Sequence, residues 1–344
     1  MMAIDWQQPH TKRLIFSYLN DWLLVIIMTA AFFTLDKAAP YHRNFSVTDK
    51  TIMFPYTEHE EVPVWALGVI CFVAPFVIIG IISLGAKRNL HDFHSGVLGL
   101  CLALSLSVVF TQAIKVTVGR PRPDFLSRCQ PALNVTDPPL GLSNYTICTT
   151  SIDSPLMKDG FKSFPSGHSS FSFAGLGYLA LYFAGKLRLF DERGHTYKGF
   201  TFVFPVIGAL LVAITRTRDY RHHWQDVTIG ALLGAACAFF AYRQYHPALG
   251  HASCHKPFAV RFHQDNGLLP ISNSTPLDHH RTGGMTRGND ISEDEDAFMY
   301  NDDASGSHRE SGNRLLDLNS NGLAMNNPKK DDKYNNNVYN IHNS

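Results

Sequence analysis

Long apolar runs dominate the first 245 residues of the chain and are separated by shorter polar segments. A helix that spans a bilayer needs about 20 mostly apolar residues. Six runs approach or reach this length: about Leu14–Leu35, Val64–Gly85, Gly96–Val118, Ser169–Lys186, Phe200–Thr215 and Val227–Tyr245. The pattern predicts an all-α protein in which six transmembrane helices form a bundle.

The pattern changes after the last apolar run. From about Leu268 the chain is rich in Asn, Asp, Ser and Gly and has no apolar periodicity. Such a segment buries too little apolar surface to offset the entropy cost of folding. We therefore predict a membrane domain at residues 1–250 and a largely disordered cytoplasmic tail at residues 251–344.

Basic residues in the short connections predict the orientation of the bundle, because Lys and Arg accumulate in cytoplasmic loops. They precede the first span, join spans two to three and four to five, and close the sixth: Lys12, Arg13, Lys87, Arg88, Lys186, Arg188, Arg193, Lys198 and Arg243. With six spans, all of these positions lie on one side, so both termini are expected to be cytoplasmic. The expected location is an endomembrane (ER, Golgi or vacuole) or the plasma membrane.

Sequons and cysteines in the remaining loops agree with this orientation. Asn44, Asn134 and Asn144 begin N-x-[ST] triplets, and all three lie in predicted non-cytoplasmic loops. Cys129 and Cys148 share the long loop between spans three and four, which suggests a disulfide on an oxidising side. The formal net charge of +1 gives no reason to expect a nucleic-acid partner, and the sequence leaves the oligomeric state open.

Six cations break the positive-inside pattern because they lie at the outer ends of spans three and five: Lys115, Arg120, Arg122, Arg216, Arg218 and Arg221. Lys115 lies about one turn inside its span, where an unpaired charge is costly. Cations gathered at one membrane face require an anion, and the guanidinium fork matches phosphate oxygens. The cations alone are equally compatible with a phosphate substrate and with anionic headgroups that undergo no chemistry.

Two further segments add candidate chemistry at the same face. Residues 164–168 read Phe-Pro-Ser-Gly-His directly before span four, and a helix that opens on such a turn favours an anion at its N-terminus. His222 and Asp226 are four residues apart at the start of span six, so the carboxylate can fix the tautomer of a nucleophilic imidazole. His223 is three residues from Asp226, and geometry alone favours His222 only slightly.

Together these segments resemble the three signature motifs of the type 2 phosphatidic acid phosphatase family, also called lipid phosphate phosphatases. Spacing and chain order match in Lys115-(six residues)-Arg122-Pro123, Pro165-Ser166-Gly167-His168 and Arg216-(five residues)-His222-(three residues)-Asp226. The resemblance covers about residues 90–245. One departure is Thr215 before Arg216, where the family commonly has Ser, and Thr keeps the hydroxyl.

The resemblance implies a role for each matching residue. Phosphate oxygens would be bound by Lys115, Arg122, Ser166, the Gly167 backbone N–H and Arg216. His222 would attack phosphorus, Asp226 would orient His222, and His168 would protonate the leaving oxygen. The family spacing also selects His222 over His223.

The resemblance further implies a phosphoric monoester hydrolase that needs neither magnesium nor a cofactor and that acts on lipids at the luminal or extracellular face. The family's usual substrates are phosphatidate, lysophosphatidate and diacylglycerol pyrophosphate, and the run Asp219-Tyr220-Arg221-His222-His223 resembles the branch that accepts the first and last of these. Alternatives are a related lipid phosphotransferase or a phosphatase for isoprenoid or sphingoid phosphates. Intact His168, His222 and Asp226 argue against an inactive lipid-binding relative.

The orientation generates a first testable prediction. In a eukaryotic host, one or more of Asn44, Asn134 and Asn144 should carry glycan, whereas Asn273 in the tail should not, because only the first three face the glycosylating compartment. Glycosidase-induced gel shifts on single Asn→Gln variants test this. A shift that disappears only in Asn273→Gln would reverse the predicted orientation.

Overall fold

The computed structural model describes residues 9–191 and 193–259, with side chains from Phe16 onward. Within these residues the regular structure is helical, and extended backbone pairs only in two isolated bridges. The predicted all-α class is therefore confirmed. The predicted tail from residue 260 onward, including Asn273, lies outside the described residues.

Six long helices and two short ones form the described part of the chain. They are α1 Pro9–Lys37, α2 Val64–Ala86, α3 Leu90–Val118, α4 Phe125–Cys129, α5 Pro155–Gly160, α6 Gly167–Lys186, α7 Thr196–Arg218 and α8 Trp224–Tyr245. Single 3-10 turns lie at Lys50–Ile52 and Tyr145–Ile147. The six long helices agree with the six predicted spans.

Five of these helices are long and apolar enough to cross a membrane, and α6 is the exception. Its sequence contains serines, glycines and tyrosines and ends in Lys186, which lowers its hydropathy. It packs against α3, α7 and α8 at the centre of the bundle. A helix that faces protein on several sides does not need the apolar surface that lipid demands.

Capping residues fix both ends of α3 and thereby the position of Lys115. Asn89 caps the start of α3 by accepting a hydrogen bond from the Asp92 amide. Gly119 ends the helix in the left-handed conformation, and its amide donates to the Lys115 carbonyl at 3.2 Å. Lys115 therefore lies in the last turn, with its side chain at the level where α6 begins.

Helix α2 is irregular, with π-helical segments at Val69–Val73 and Ile81–Ala86. Pro75 has no N–H to give to the Cys71 carbonyl one turn earlier, which accounts for the first irregularity. That carbonyl oxygen instead points toward α6, where a Cβ on Gly175 would lie only 2.1 Å from it. The backbones of α2 and α6 are therefore in direct contact.

Glycines on α8 bring its backbone equally close to α6. A Cβ on Gly230 would lie 2.6 Å from the Ser166 carbonyl oxygen, and a Cβ on Gly234 would lie 2.2 Å from the Ser170 carbonyl oxygen. The Ser166 amide also donates to the Asp226 carbonyl at 2.9 Å. The first turns of α6 and α8 are thus fixed to each other, and both carry predicted site residues.

The loops between the helices form a small core of their own. Its buried residues are Phe45, Ile52, Phe125, Cys129, Met157 and Phe161. Cys129 is joined to Cys148 by a disulfide. This loop core carries α5, which extends to the edge of the site.

Residues 251–259, at the start of the predicted tail, pack against the helix ends. Cys254 is 2% exposed and lies next to the Gly185 carbonyl, while the Phe258 amide donates to the Tyr245 carbonyl at 2.9 Å. The ordered packing of the first domain therefore extends beyond residue 250.

The glycine contacts predict opposite effects for two Gly→Ala variants. Gly234→Ala should lower stability by about 1–3 kcal/mol because the new methyl group overlaps a backbone oxygen that cannot move away cheaply. Gly199→Ala is the matched control on α7, where a Cβ meets nothing within 4 Å. Alanine there should be neutral or stabilising by up to about 1 kcal/mol.

Thermal unfolding of both variants in one detergent tests the packing. Equal melting temperatures for the two variants would contradict the close approach of α8 to α6.

Candidate active site

A cavity of about 400 Å³ opens where α3 and α7 end and α6 begins. Six of the eight sequence-predicted site residues line it: Lys115, Arg122, Gly167, His168, Arg216 and His222. The other two, Ser166 and Asp226, are completely buried. Ser166 directly precedes Gly167 in the cavity wall, and its amide donates to the Asp226 carbonyl. Three segments that are far apart in the sequence therefore meet at one place.

The first turn of α6 lines the cavity and favours an anion there. Ser166 caps the helix by accepting from the Ser169 amide, and Gly167 is the first helical residue. A Cβ on Gly167 would lie 3.4 Å from Lys115 Nζ, so no side chain separates the helix start from the ammonium group. The free N–H groups of the first turn and the ammonium group together favour an anion between them.

His222 is held as a neutral imidazole with one defined tautomer. Its Nδ1 lies 2.7 Å from the Ser163 carbonyl, and because a carbonyl only accepts, the proton is on Nδ1. Burial, together with the charges of Arg122 and Lys115, lowers the pKa of His222 well below its ordinary value. The unprotonated Nε2 is thus the nitrogen available for nucleophilic attack.

Asp226 contacts the neighbours of His222 more closely than His222 itself. Its carboxylate accepts from the Ser163 hydroxyl at 2.5 Å and from Arg120 at 2.6 Å, whereas His222 Nδ1 is 3.9 Å away. Ser163 therefore links the two residues, since its hydroxyl donates to Asp226 while its carbonyl accepts from His222. The sequence analysis did not single out Ser163, because this link depends on a tertiary contact.

His223 has a different environment from His222. Its backbone N–H donates to the Asp226 carboxylate at 3.0 Å, and its Nδ1 lies 3.2 Å from the same carboxylate. It lines a separate cavity of about 160 Å³, together with Arg43 and Arg120, and does not line the larger one. The geometry therefore favours His222, which lines the larger cavity together with the cation cluster formed by Lys115, Arg122 and Arg216.

His168 lines the cavity from the first turn of α6. Its Nε2 lies 3.0 Å from the Val62 carbonyl and 3.8 Å from the Glu60 carboxylate. The segment before α2 thus contacts the second predicted catalytic histidine, and this neighbour is 106 residues away in the chain.

Three carboxylates pair with the predicted phosphate-binding arginines, and one of them, Asp219, accepts from Arg216 at 2.9 Å without lining the cavity. Asp159, in α5, accepts from Arg122 at 2.6 Å, and Glu60 accepts from Arg216 at 2.8 Å. Burial opposes the ionised form of Asp159, but the neighbouring Arg122 and Arg128 outweigh it and lower the pKa of that carboxyl to about 2. Asp159 and Glu60 both line the cavity, and neither was identified from the sequence. The acidic run at residues 58–61 directly before span two was the available signal for Glu60.

The remainder of the cavity wall is largely apolar and extends along the helices. Its apolar part is formed by Phe32, Val64, Leu67, Gly68, Val108 and Phe171, and Asp36, Thr111, Gln112 and Ser170 add polar groups. An amphiphile with an anionic head and a hydrocarbon chain matches this division of the wall into a charged and an apolar part.

Comparisons with known proteins agree with the geometry. Lipid phosphate phosphatase 2 of Arabidopsis thaliana is 38% identical over 231 residues, which cover 67% of this chain and 78% of the relative. The probable diacylglycerol pyrophosphate phosphatase 1 of Schizosaccharomyces pombe is 38% identical over 241 residues, covering 70% of this chain and 85% of the relative. Diacylglycerol pyrophosphate phosphatase 1 of Saccharomyces cerevisiae is 38% identical over 242 residues, covering 70% and 83%.

No solved structure matches the chain. The model of the PAP2 superfamily matches residues 96–249, a stretch that contains all three motifs and the cation cluster. With this match and relatives aligned over most of their length, the chain belongs to the PAP2 superfamily.

Proposed function

We propose that the protein is an integral membrane phosphatase that hydrolyses lipid phosphates through a phosphohistidine at His222, without a metal ion. The observation that carries the proposal is the neutral His222, whose free Nε2 belongs to a cavity lined by Lys115, Arg122 and Arg216. The names of the relatives supply the substrate class, which is lipid phosphates and diacylglycerol pyrophosphate. Phosphatidate and lysophosphatidate are the corresponding monoesters.

In the first half-reaction, the phosphate group displaces one of the two carboxylates, Glu60 or Asp159, and is bound by the three cations and the Gly167 N–H. His222 Nε2 attacks phosphorus as the bond to the lipid oxygen breaks, and the electron pair stays on that oxygen. His168 gives it a proton. The cations neutralise the charge on the equatorial oxygens, which is the main requirement of phosphoryl transfer.

In the second half-reaction, water attacks the phosphohistidine and gives its proton to His168, so that free phosphate leaves and His222 becomes neutral again. Ser163 and Asp226 act as positioning residues, since together they hold the His222 proton on Nδ1 throughout. The apolar part of the cavity accommodates the start of an acyl chain. With both termini cytoplasmic, the site faces the lumen or the cell exterior.

Free-phosphate release by the purified protein from phosphatidate, lysophosphatidate and diacylglycerol pyrophosphate in mixed micelles tests this function directly. His222→Ala is the control for contaminating phosphatases. Absence of phosphate release from all three lipids by folded protein would contradict the proposal.

The nucleophile assignment predicts a covalent intermediate. Rapid quench of wild type with labelled lipid phosphate should trap an acid-labile, base-stable phosphoryl group, which His222→Ala should lose completely. His223→Ala is the matched control, because that ring belongs to a different cavity, and it should still be labelled. Labelling that survives in folded His222→Ala but vanishes in His223→Ala would reassign the nucleophile.

The cation cluster predicts that activity persists in EDTA, since Lys115, Arg122 and Arg216 supply the positive charge that magnesium provides in many phosphoryl-transfer sites. Vanadate should inhibit, because it adopts the five-coordinate shape of the transition state. The measurement is initial rate after exhaustive chelation, with and without added Mg²⁺. Complete loss on chelation with recovery on adding Mg²⁺ would refute the metal-free mechanism.

A further inference from the structure

Arg221 is a buried cation in the cavity that the three motifs leave without a role. It is 5% exposed and lies directly before His222. Its Nη2 donates to the Thr57 carbonyl at 2.9 Å, and its guanidinium lies 4.8 Å from the centre of the Tyr56 ring. Its Nε is buried and has no hydrogen-bond partner among the described residues. A buried donor without a partner is costly, so an anion that accepts from this group would be stabilised here.

The carboxylates around Arg221 mark two neighbouring anion positions. Glu60 lies between Arg216 and Arg221, with Oε2 2.8 Å from Arg216 Nη1 and Oε1 3.3 Å from Arg221 Nη2. Asp159 lies between Arg122 and Arg221, with Oδ1 2.6 Å from Arg122 Nη2 and Oδ2 3.8 Å from Arg221 Nη1. Arg221 therefore adjoins both positions.

The charges in this region exceed what a single phosphate group requires. Lys115, Arg122 and Arg216 already match a monoester, which brings about two negative charges at neutral pH. A fourth cation, itself buried, that adjoins two anion positions suits a ligand with two linked phosphate groups. A monoester can replace one carboxylate, whereas a pyrophosphate can replace both.

We propose that Arg221 binds the lipid-linked phosphate of a lipid pyrophosphate and makes the site selective for pyrophosphate lipids over phosphate monoesters. This inference rests on the proposed function. When His222 Nε2 bonds to the terminal phosphorus, the anhydride P–O bond breaks and its electron pair stays on the lipid-linked phosphate. Arg221 neutralises the charge that this phosphate gains. Arg221 is thus a specificity-determining residue, because only a pyrophosphate headgroup has a second phosphate for it to bind.

The test measures kcat/KM of the full chain for diacylglycerol pyrophosphate and for phosphatidate with identical acyl chains, in one detergent. The selectivity is the ratio of these two values. Arg221→Gln should lower it about 10–100-fold, the effect of losing one charge-assisted hydrogen bond. Arg221→Lys keeps the charge without the fork and should give an intermediate ratio.

The matched control is Arg218→Gln on the preceding turn of the same helix end. Arg218 does not line the cavity, its side chain is 67% exposed, and it pairs with Glu61. The ratio of the two kcat/KM values in Arg218→Gln should equal that of wild type. A drop of the same size in Arg218→Gln would mean that net surface charge, and not Arg221, sets the ratio.

A second measurement keeps the inference testable if Arg221→Gln fails to fold. Methylenediphosphonate mimics the pyrophosphate with an uncleavable P–C–P link, and methylphosphonate mimics the monoester. Wild type should bind the diphosphonate at least about tenfold more tightly, because that ligand gains the Arg221 contact. Equal inhibition constants in wild type would overturn the inference.

The outcomes separate this inference from the function on which it rests. If wild type releases phosphate from neither lipid, the proposed function fails. If wild type hydrolyses both lipids and folded Arg221→Gln has an unchanged ratio, the function stands and the role of Arg221 is refuted. Hydrolysis of phosphatidate without any hydrolysis of the pyrophosphate also refutes it.

Discussion

The structure is organised around a group of buried and half-buried cations that needs a counter-anion. Lys115, Arg122, Arg216 and Arg221 line one cavity, and the positive end of α6 faces the same space. Cations at such a site are costly when they are unpaired. Asp219 pairs with Arg216, and Glu60 and Asp159, both from segments outside the three motifs, supply further negative charge at the cavity itself. The loops that carry these acids are therefore part of the site's electrostatics and do more than connect helices.

Close packing of backbones makes this arrangement rigid. Gly230 and Gly234 bring α8 against the backbone of α6, and the Ser166 amide binds the Asp226 carbonyl. The first turn of α6 and Asp226, the residue that we propose positions His222, are therefore fixed to each other. Because Ser163 lies just before the first turn of α6 and bonds to both His222 and Asp226, a small shift of α6 against α8 would disturb His222 as well as the proposed phosphate site.

The sequence was sufficient to predict those helices and site residues that depend on local pattern. Long apolar runs predicted the helices, and the spacing of Lys115, Arg122, His168, Arg216 and His222 predicted residues that the structure brings to one cavity. The sequence was insufficient where a role depends on distant contacts. Ser163 bonds to residues about 60 positions away, and Glu60 meets Arg216 across 156 positions. The first irregularity of α2 follows from Pro75, but the contact of the Cys71 carbonyl with Gly175 on another helix is not encoded by any period in the sequence.

The paired carboxylates also bear on how the proposed phosphatase distinguishes its substrate from the surrounding membrane. Glu60 and Asp159 are tethered, so they compete with any incoming anion at a high effective concentration. An ordinary phospholipid is a phosphodiester with one negative charge, and exchanging it for a carboxylate gains no net attraction to the cations. A phosphate monoester brings about two charges, and a pyrophosphate brings a further phosphate group, so only these gain charge in the exchange. Charge density, rather than the shape of the lipid, is then the property that gives a terminal phosphate access to His222.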